Sequence, residues 1–567
     1  MMGRQAQGQE RLFYEFSLDE VVPQDHLVRR IDAVLDTSWV HRELAPFYST
    51  LGRPSIDPEL MIRMLIVGYI FAIRSEREIC RDVQVNLAYR WFCGLGLEDS
   101  VPNHSVFSRA RSERFRDSDL LRTLFEHVVM SCIDAGLVGG HSFAVDASLI
   151  QADANKQRSV PGPDWNQQHN LDTASRAVKE YVATLDDAAF GAASDVVPKF
   201  VSPCDPASQW TGAHKGPAFF AYADNYLIDV KHTVIVDVEA SRAIRPAEVG
   251  AARTMIERTE ERFGMKPGCL AGDTAYGSAQ MLAWLVKEKG IEPHIPVFDK
   301  STRKDGTLSR SDFTFDADHN VYIYPQGKPL TTTGRVNKDR TLYYRASKLD
   351  CDACLLKSKC CPKAPSRRIP RDIDEDARDF ARSLVGTPAF EQSRRDRKKV
   401  EMAFAHLKRN FWLGRLRLRG PCGAQDEFLL AAIAQNLMKL ARNIARPPPL
   451  ALACALRQNQ STKQMAETAN AVAERPPRDR RIAAKTDLDI AIASMCQIIS
   501  RRWSDFCNSI CQEQSSQCRW RSHTQHQEKP AKINPVLGTM MTERVKRVYV
   551  HVRSFREPTR YEPSLVG

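Results

Sequence analysis

Between residues 141 and 298, short apolar segments alternate with amphipathic ones, and this alternation constrains the fold more than any other feature of the chain. HSFAVDASLI, YLIDV, HTVIVDVEAS, GCLAGD and IEPHIPVF carry the β-branched and aromatic residues typical of strands. PAEVGAARTMIERTEERFG and AQMLAWLVKEKG have helical periodicity, and the second is closed by Gly290. Strands interleaved with helices predict an α/β fold, a mixed sheet flanked by helices.

The residues before this region are predicted to be helical. DHLVRRIDAVLD repeats apolar residues every four positions, as one face of a helix requires. Asp57 followed by Pro58 predicts the start of one helix, with Asp57 as its N-cap. Ser75 with Glu78 three residues later forms a capping box and predicts the start of a second helix. Successive helices with short turns fit a DNA-binding helix-turn-helix and, equally, a packed bundle.

The alternation is interrupted after residue 300. SDFTFDADHNVYIYPQG and RTLYYRAS indicate antiparallel β structure, and helical periodicity returns near residue 390 and continues through AQDEFLLAAIAQNLMKLARNIA. Beyond residue 446 periodicity fades, which predicts a largely disordered tail. The predicted domains are a helical N-terminal domain, the first part of the core, a β-rich insertion, the final core helices and the tail, at 1–120, 140–300, 301–389, 390–446 and 447–567.

Net charge alone is a weak indication of an anionic partner. The 567 residues carry a net charge of +12. Residues 447–567 hold 19 Lys and Arg against 11 Asp and Glu, so this segment carries two thirds of the net charge of the chain. The segment MIRMLIVGYIFAIR is too short and too charged to span a membrane, and the N-terminus has no apolar signal segment. A cytoplasmic protein with 15 reduced cysteines is expected.

Three acidic residues are the candidate catalytic set. Asp146 and Asp273 each follow an apolar strand, and Glu401 lies on a later, basic helix. We expect acids at the ends of adjacent strands to converge at one edge of a sheet. Three converging carboxylates repel one another unless a divalent cation lies between them, and their hard oxygens suit Mg²⁺ or Mn²⁺. Two such ions support phosphoryl transfer.

Each of these acids taken alone has an ordinary structural explanation. An aspartate at a strand end is more often a turn or cap residue, and Asp229 and Asp237 stand in similar positions as internal comparisons. What distinguishes Asp146 and Asp273 is that small residues follow them, in VDAS and GDTAYGS, where a backbone can approach a ligand closely.

The helix that carries Glu401 has one apolar and one charged face. Val400, Phe404 and Leu407 form the buried stripe, while Arg397, Glu401 and Lys408 share a face about 100° away. The cations beside the acid are suited to hold phosphates, which positions DNA without reading its sequence. The predicted DNA contacts are Arg394, Arg397, Lys408, Arg409 and Arg415.

Three segments together resemble the catalytic blocks of transposases from bacterial insertion sequences, which have a DDE, RNase H-like core. These segments are FAVDASLI, AGDTAYGS and RKKVEMAFAHLKRNFWLGRLRLRG. The third contains R-x3-E-x6-K as Arg397, Glu401 and Lys408; the family's longer signature has a tyrosine where this chain has Arg394. The helical segment before the core also resembles that family, so that the likeness covers roughly residues 15–445.

The resemblance implies a catalytic and metal-binding triad of Asp146, Asp273 and Glu401 with two Mg²⁺ ions, for which Mn²⁺ can substitute. It implies a β-rich insertion between the second and third acids, cleavage and strand transfer at element ends, and a dimer or higher assembly on double-stranded DNA. A bacterial, nucleoid-associated location follows from that function.

Four cysteines in CDACLLKSKCC are candidates for a structural zinc site. Cys351 and Cys354 form a C-x2-C pair, and Cys360 and Cys361 follow within eleven residues. No second pair stands at the usual spacing, so the alternative is a thiol-rich loop.

Two other functions compete with an active transposase. A catalytically inactive, transposase-derived repressor would bind DNA without nicking it. An RNase H-like nuclease would cut DNA without joining it to a target.

Overall fold

The computed structural model describes residues 16–443, except residues 50, 52–54, 74, 166–171, 188, 192–193, 195, 213–215, 300–302 and 304. The tail predicted at 447–567 lies outside the described residues. Within them the predicted α/β, RNase H-like fold class is confirmed, because a mixed sheet is flanked by helices and preceded by a helical region.

The N-terminal region is helical, as predicted. Asp57 accepts a hydrogen bond from the Glu59 amide at the start of one helix, and Ser75 accepts from the Glu78 amide at the start of the next. The helices are α1 (Leu18–Val21), α2 (Leu27–Asp32), α3 (Val40–Leu44), α4 (Pro58–Ile70), α5 (Glu76–Val85), α6 (Leu87–Phe92), α7 (His104–Ala110) and α8 (Leu120–Asp134).

A mixed sheet, the central sheet, follows these helices. Its long antiparallel pair is formed by β1 and β5, and β7 and β8 add in parallel beside β1. β4 and β6 pair with successive parts of the opposite edge of β5, while β2 and β3 pair separately. The strands are β1 (Ser142–Gln151), β2 (Val160–Pro161), β3 (Phe200–Val201), β4 (Gln209–Gly212), β5 (Ala218–Asp229), β6 (Val234–Arg242), β7 (Cys269–Ala271) and β8 (Glu292–His294).

The predicted β-rich segment forms its own five-stranded antiparallel sheet in the order β13-β12-β11-β10-β9. It has a separate small core that includes Tyr322, Leu330 and Tyr344. Its strands are β9 (Thr314–Asp316), β10 (Val321–Ile323), β11 (Pro329–Thr332), β12 (Thr341–Arg345) and β13 (Arg368–Asp372).

The later helices flank the two sheets. π-helical turns follow the N-terminal helix α7, at Arg111–Phe115, and the later helix α11, at Trp284–Lys289. α10 packs on β5 and β6, and α15 packs across β1, β7 and β8. The helices are α9 (Arg176–Ala183), α10 (Arg245–Phe263), α11 (Ala279–Ala283), α12 (Lys348–Asp352), α13 (Lys357–Cys360), α14 (Glu375–Leu384), α15 (Pro388–Asn410) and α16 (Pro421–Asn443).

Helix α16 covers the outer edge of β6 with side-chain amides. The Asn436 side chain accepts from the Ile235 amide at 3.0 Å and donates to the Ile235 carbonyl at 2.8 Å. Gln425 does the same for the Ala240 amide and the Val238 carbonyl. These bonds satisfy an edge that has no further strand among the described residues.

Helix α16 also joins the central sheet to the N-terminal helices. It packs against α2, α4 and α8, and the Arg30 guanidinium donates to the Ala441 carbonyl near its C-terminal end. No helix in the described part of the chain is both long and apolar enough to cross a lipid bilayer.

Candidate active site

Asp146 and Asp273 lie at the same level of two neighbouring parallel strands. β1 and β7 are paired with Ser142 opposite Cys269, and each aspartate lies four residues further along its own chain. Asp273 follows the end of β7 by two residues, as predicted. Asp146 does not end its strand, because β1 continues for five residues to Gln151, paired with β5 throughout. The expectation that both acids close a strand is therefore wrong for Asp146.

The face of the sheet to which Asp146 belongs follows from its partner in β5. Asp146 is directly opposite Tyr226, so the two side chains share a face. The Tyr226 ring stacks on Phe404 of α15, with the ring centroids 4.7 Å apart. Asp146 therefore lies beneath the helix that carries Glu401.

The two aspartates have fewer partners than the comparison aspartates. Asp146 accepts from the Ala147 amide at 2.9 Å, and Asp273 accepts from the Ala275 amide at 2.7 Å. By contrast, Asp229 accepts from three backbone amides and Asp237 binds Arg122 and Arg258. The comparison aspartates are thus saturated structural residues, while Asp146 and Asp273 retain free acceptor capacity.

Burial makes Asp146 hard to ionise. The pKa of Asp146 is raised to about 6, chiefly by burial and also by the charges of Asp273 and Glu401, while the Ala147 hydrogen bond and the charge of Arg397 lower it. Asp273 and Glu401, the other two predicted acids, therefore both interact electrostatically with Asp146.

Glu401 reaches this region from the middle of α15. Thr387 caps the start of the helix by accepting from the Phe390 amide, and Pro388 occupies its first turn. The buried stripe is Val400, Ala403, Phe404 and Leu407, as the periodicity predicts. The Glu401 side chain is 56% exposed, and its Oε1 lies 3.4 Å from Nη2 of Arg397.

A groove of about 540 Å³ runs between α15 and the ends of β7 and β8. Acidic and basic groups share its wall: Asp273 and Glu401 line it together with Arg394, Arg397 and Lys398. Gly272 gives the floor its shape, because a Cβ atom there would lie 3.2 Å from Tyr276 and 3.4 Å from Val145. An extended, phosphate-bearing chain fits this mixture of carboxylates and cations better than a compact apolar ligand does.

The five predicted DNA contacts are not all in this groove. Arg394 and Arg397 line it, and Arg394 also pairs with Glu391 at 2.8 Å. Arg409 is exposed on the same helix. Lys408 is exposed and donates to the Leu149 carbonyl at 3.1 Å. Arg415 lies further along the chain and is paired with Asp153 at 2.8 Å.

Sequence reasoning did not single out two residues of this region. Glu248 lies in the first turn of α10, and burial with the charges of Asp273 and Asp146 raises its pKa to about 7, against the lowering effect of Arg245. Tyr276 is 1% exposed, and its hydroxyl has no hydrogen-bond partner in the described part of the chain. Glu248 stands in no motif, and Tyr276 stands in the block AGDTAYGS, where only Asp273 was chosen as a candidate.

The four cysteines surround one cavity of about 240 Å³ in the second sheet's small core. Cys351, Cys360 and Cys361 are buried, and Cys354 lies 2.9 Å from the Tyr324 hydroxyl. Burial raises the pKa of Cys360 to about 12, so its thiol is protonated.

No three metal-ligating side chains are drawn together tightly enough to hold an ion anywhere in the described residues. This applies to the cysteines and to the three acids alike. The chemistry of the three acids nevertheless fits a hard divalent cation. Among the described residues, Asp146 and Asp273 each accept a hydrogen bond through one carboxylate oxygen, which leaves acceptor capacity on the other. The long contact of Glu401 with Arg397 leaves the Glu401 side chain able to change its orientation.

Comparison with known families gives two matches. A profile described as "Transposase domain (DUF772)" matches residues 16–113, the helical region. A profile described as "Transposase DDE domain" matches residues 323–441, which include Arg397, Glu401 and Lys408. The segment between them, with Asp146 and Asp273, is matched by neither.

A search of curated proteins gives no match. Among solved structures, the piggyBac transposase synaptic complex with hairpin DNA aligns over 74% of each chain, with 9% identity and a TM-score of 0.27. So low a score establishes no shared fold. Both family matches are to transposase domains, in this order along one chain, and together they support a DDE transposase.

Proposed function

We propose that this chain is the transposase of a bacterial insertion sequence, which binds the ends of its element and catalyses metal-dependent strand cleavage and strand transfer. The observation that carries the proposal is the placement of Asp146 on β1, beneath the helix of Glu401, with Asp273 two residues beyond the end of the adjacent parallel strand β7. The family assignment supports the same chemistry.

In this proposal Asp146, Asp273 and Glu401 hold divalent cations, with Mg²⁺ as the ordinary ion and Mn²⁺ as a substitute. Bound Mg²⁺ activates the attacking water or 3′-hydroxyl and stabilises the leaving oxygen. Asp146 contributes in its ionised form, which burial disfavours in the free protein and a cation favours.

The cations of α15 position the DNA backbone. Arg394, Arg397 and Lys398 line the groove that contains Asp273 and Glu401, so that phosphates bound there lie beside the carboxylates. Arg397 also reduces the repulsion between Asp146 and Glu401, because its charge acts on both. The N-terminal helices, matched by the other transposase profile, are proposed to bind the element ends, with two or more copies on paired DNA.

The test is cleavage of the gene's own flanking DNA by the full chain, with Mg²⁺ and with EDTA. Wild type is compared with Asp273→Asn and with Asp318→Asn, an exposed aspartate in the turn between β9 and β10. We expect Mg²⁺-dependent nicking at the element boundary, and joined products with target DNA, in wild type and Asp318→Asn only.

The alternatives give different results. Binding at the boundary without nicking in any of the three proteins would indicate the inactive repressor. Nicking without joined products would indicate a nuclease that performs no strand transfer.

A further inference from the structure

A second groove, of about 420 Å³, lies on the other side of α15 from the groove of Asp273 and Glu401. Its walls are α15, the C-terminal half of α16 and the turn between β5 and β6. Four lysine or arginine side chains and two histidines line it, and no carboxylate of the described residues does. We call it the cationic groove, and these six lining residues are Lys231, His232, Lys399, His406, Lys439 and Arg442.

Most of the positive charge in the cationic groove is not balanced by an ion pair. Among the described residues, one of the four lysine and arginine side chains pairs with a carboxylate, since Lys399 lies 2.8 Å from Asp396. Lys231 and Arg442 are exposed, and Nζ of Lys439 donates to a backbone carbonyl at the turn between β5 and β6. The groove therefore keeps net positive charge at its surface.

The cations of this groove also repel one another. The pKa of Lys439 is lowered to about 8, chiefly by burial and also by the charge of Arg442, against an opposing effect of Cys132. The pKa of His406 is lowered by burial first, and then by the charges of Arg442 and Lys439. An anion bound among these side chains relieves that repulsion, so the charge of the groove is complementary to an anionic ligand.

Helix α15 separates the two grooves and presents a different face to each. At 3.6 residues per turn, Arg394, Arg397 and Glu401 are centred about 140° around the helix from Lys399 and His406. The face between them is exposed and forms a ridge. The ridge consists of Lys398, Met402, Ala405 and Arg409.

The width of this helix matches the spacing of the two strands of a DNA duplex. An α-helix with its side chains is about 10–12 Å across, and the major groove of B-form DNA is about 12 Å wide. A duplex that receives the ridge of α15 in its major groove therefore has one backbone over the groove of Asp273 and Glu401 and the other over the cationic groove. The second backbone meets no carboxylate there among the lining residues.

We propose that the cationic groove binds phosphates of the uncut DNA strand, in the same duplex whose cut strand lies in the groove of Asp273 and Glu401. This inference rests on the proposed function. Lys231, Lys399 and Arg442 hold the uncut strand by charge, without reading its sequence. Contacts on both sides of α15 orient the duplex over the carboxylates.

The first measurement is the salt dependence of binding of a duplex that spans the element boundary to the full chain, in EDTA so that no strand is cut. Lys231→Gln, Arg442→Gln and the double variant are compared with wild type and with Lys338→Gln, an exposed lysine between β11 and β12. We expect each single substitution to reduce the slope of log K against log salt by about 0.9, and the double variant by about twice that. Lys338→Gln should leave the slope unchanged.

The single variants keep this test independent of folding, because both side chains are exposed and their melting temperatures should equal that of wild type. A wild-type slope in Lys231→Gln and in Arg442→Gln would overturn the inference.

A second measurement identifies the strand. Neutral methylphosphonate linkages replace the phosphates of one strand at a time around the cleavage position. In the uncut strand they should weaken binding about tenfold in wild type and about twofold in the double variant, because the double variant has already lost those contacts. In the cut strand they should weaken both proteins by the same factor. Equal losses from the uncut strand, or a difference that arises from the cut strand, would contradict the proposed placement.

The two proposals fail in distinguishable ways. If wild type cuts boundary DNA while the uncut-strand substitutions weaken wild type and the double variant equally, the role of the cationic groove is wrong and the proposed function stands. If wild type neither binds nor cuts boundary DNA, the proposed function is wrong and the role of the cationic groove falls with it.

Discussion

Arg397 lies one helical turn before Glu401 on α15, with its Nη2 atom 3.4 Å from the Glu401 Oε1 atom. The same guanidinium acts on Asp146. Because the contact is long and Glu401 is more than half exposed, the ion pair costs little to break. Glu401 can therefore leave Arg397 without loss of the fold.

The first prediction concerns Glu401 itself. Glu401→Gln should reduce strand cleavage by about 100-fold or more, since it removes one charged ligand of the proposed cation site, while binding to element ends persists. Glu391→Gln is the control, because Glu391 lies on the same helix and pairs with Arg394. Cleavage rates and gel-shift affinities check both. Full cleavage by Glu401→Gln, with loss in Glu391→Gln, would exchange the two assignments.

The second prediction concerns the loop that carries Asp273. A Cβ atom at Gly277 would lie 2.2 Å from the Pro296 carbonyl oxygen, so the loop must shift if Gly277→Ala is made. We expect about 1–3 kcal/mol of destabilisation and a loss of cleavage larger than any loss of DNA binding. Gly212→Ala is the matched control, since a Cβ there meets nothing within 4 Å. Unchanged cleavage and stability in Gly277→Ala would contradict the described loop.

The third prediction concerns the amide that covers β6. Asn436 is fully buried and binds both the amide and the carbonyl of Ile235. Asn436→Ala leaves both groups unpaired, so the free energy of unfolding should fall by about 2 kcal/mol or more in chemical denaturation. Asn443→Ala should change it little, because that exposed side chain donates only to the Lys439 carbonyl. Equal effects of the two substitutions would refute the role of Asn436.

The fourth prediction concerns pH. Asp205 accepts from the Tyr222 hydroxyl at 2.5 Å, and burial raises the pKa of Asp205 to about 7. Since the folded pKa lies above the ordinary value of 3.8, the folded protein holds this proton more tightly than the unfolded chain does. The resulting penalty grows as pH rises towards 7 and persists above it.

Asp205→Asn stays neutral throughout this range and keeps an acceptor oxygen for Tyr222. Its melting temperature relative to wild type should therefore increase from pH 5 to pH 8. If the difference in melting temperature became smaller as pH rises, ionisation of Asp205 would not destabilise the folded protein.

Local patterns predicted the elements well because local physics determines them. The caps at Asp57 and Ser75 and the buried stripe of α15 follow from side chains within one or two turns of each other. The pairing of β1 with β7 could also be predicted from the sequence, since two apolar strands, each followed by an aspartate, suggest that both aspartates lie at one edge of a sheet. The extent of β1 beyond Asp146 was not, because it depends on the partner strand β5, some 75 residues later in the chain.

The site was predictable only where the sequence marks it. Asp146, Asp273 and Glu401 stand in recognisable blocks, whereas Glu248 belongs to a helix with no unusual composition. The charges of Asp273 and Asp146 raise its pKa in a fold that packs α10 on β5 and β6, and no sequence spacing indicates that packing. The ion pair of Arg415 with Asp153 was not predictable from the basic run, because the two residues lie far apart in the chain, and the DNA contact at Arg415 stays a prediction.

The cover that α16 provides for β6 has a consequence for biosynthesis. The ribosome completes the central strands at His294, but the side chains that close the edge of β6 belong to Gln425 and Asn436. Until the second sheet and the helices after it have been synthesised, the nascent chain therefore has an unpaired edge at β6 and lacks Glu401 of α15. Release of a prematurely terminated chain would yield a protein prone to pair with other strands and without a complete set of acids. The edge of β6 is therefore covered only once α16 has been synthesised.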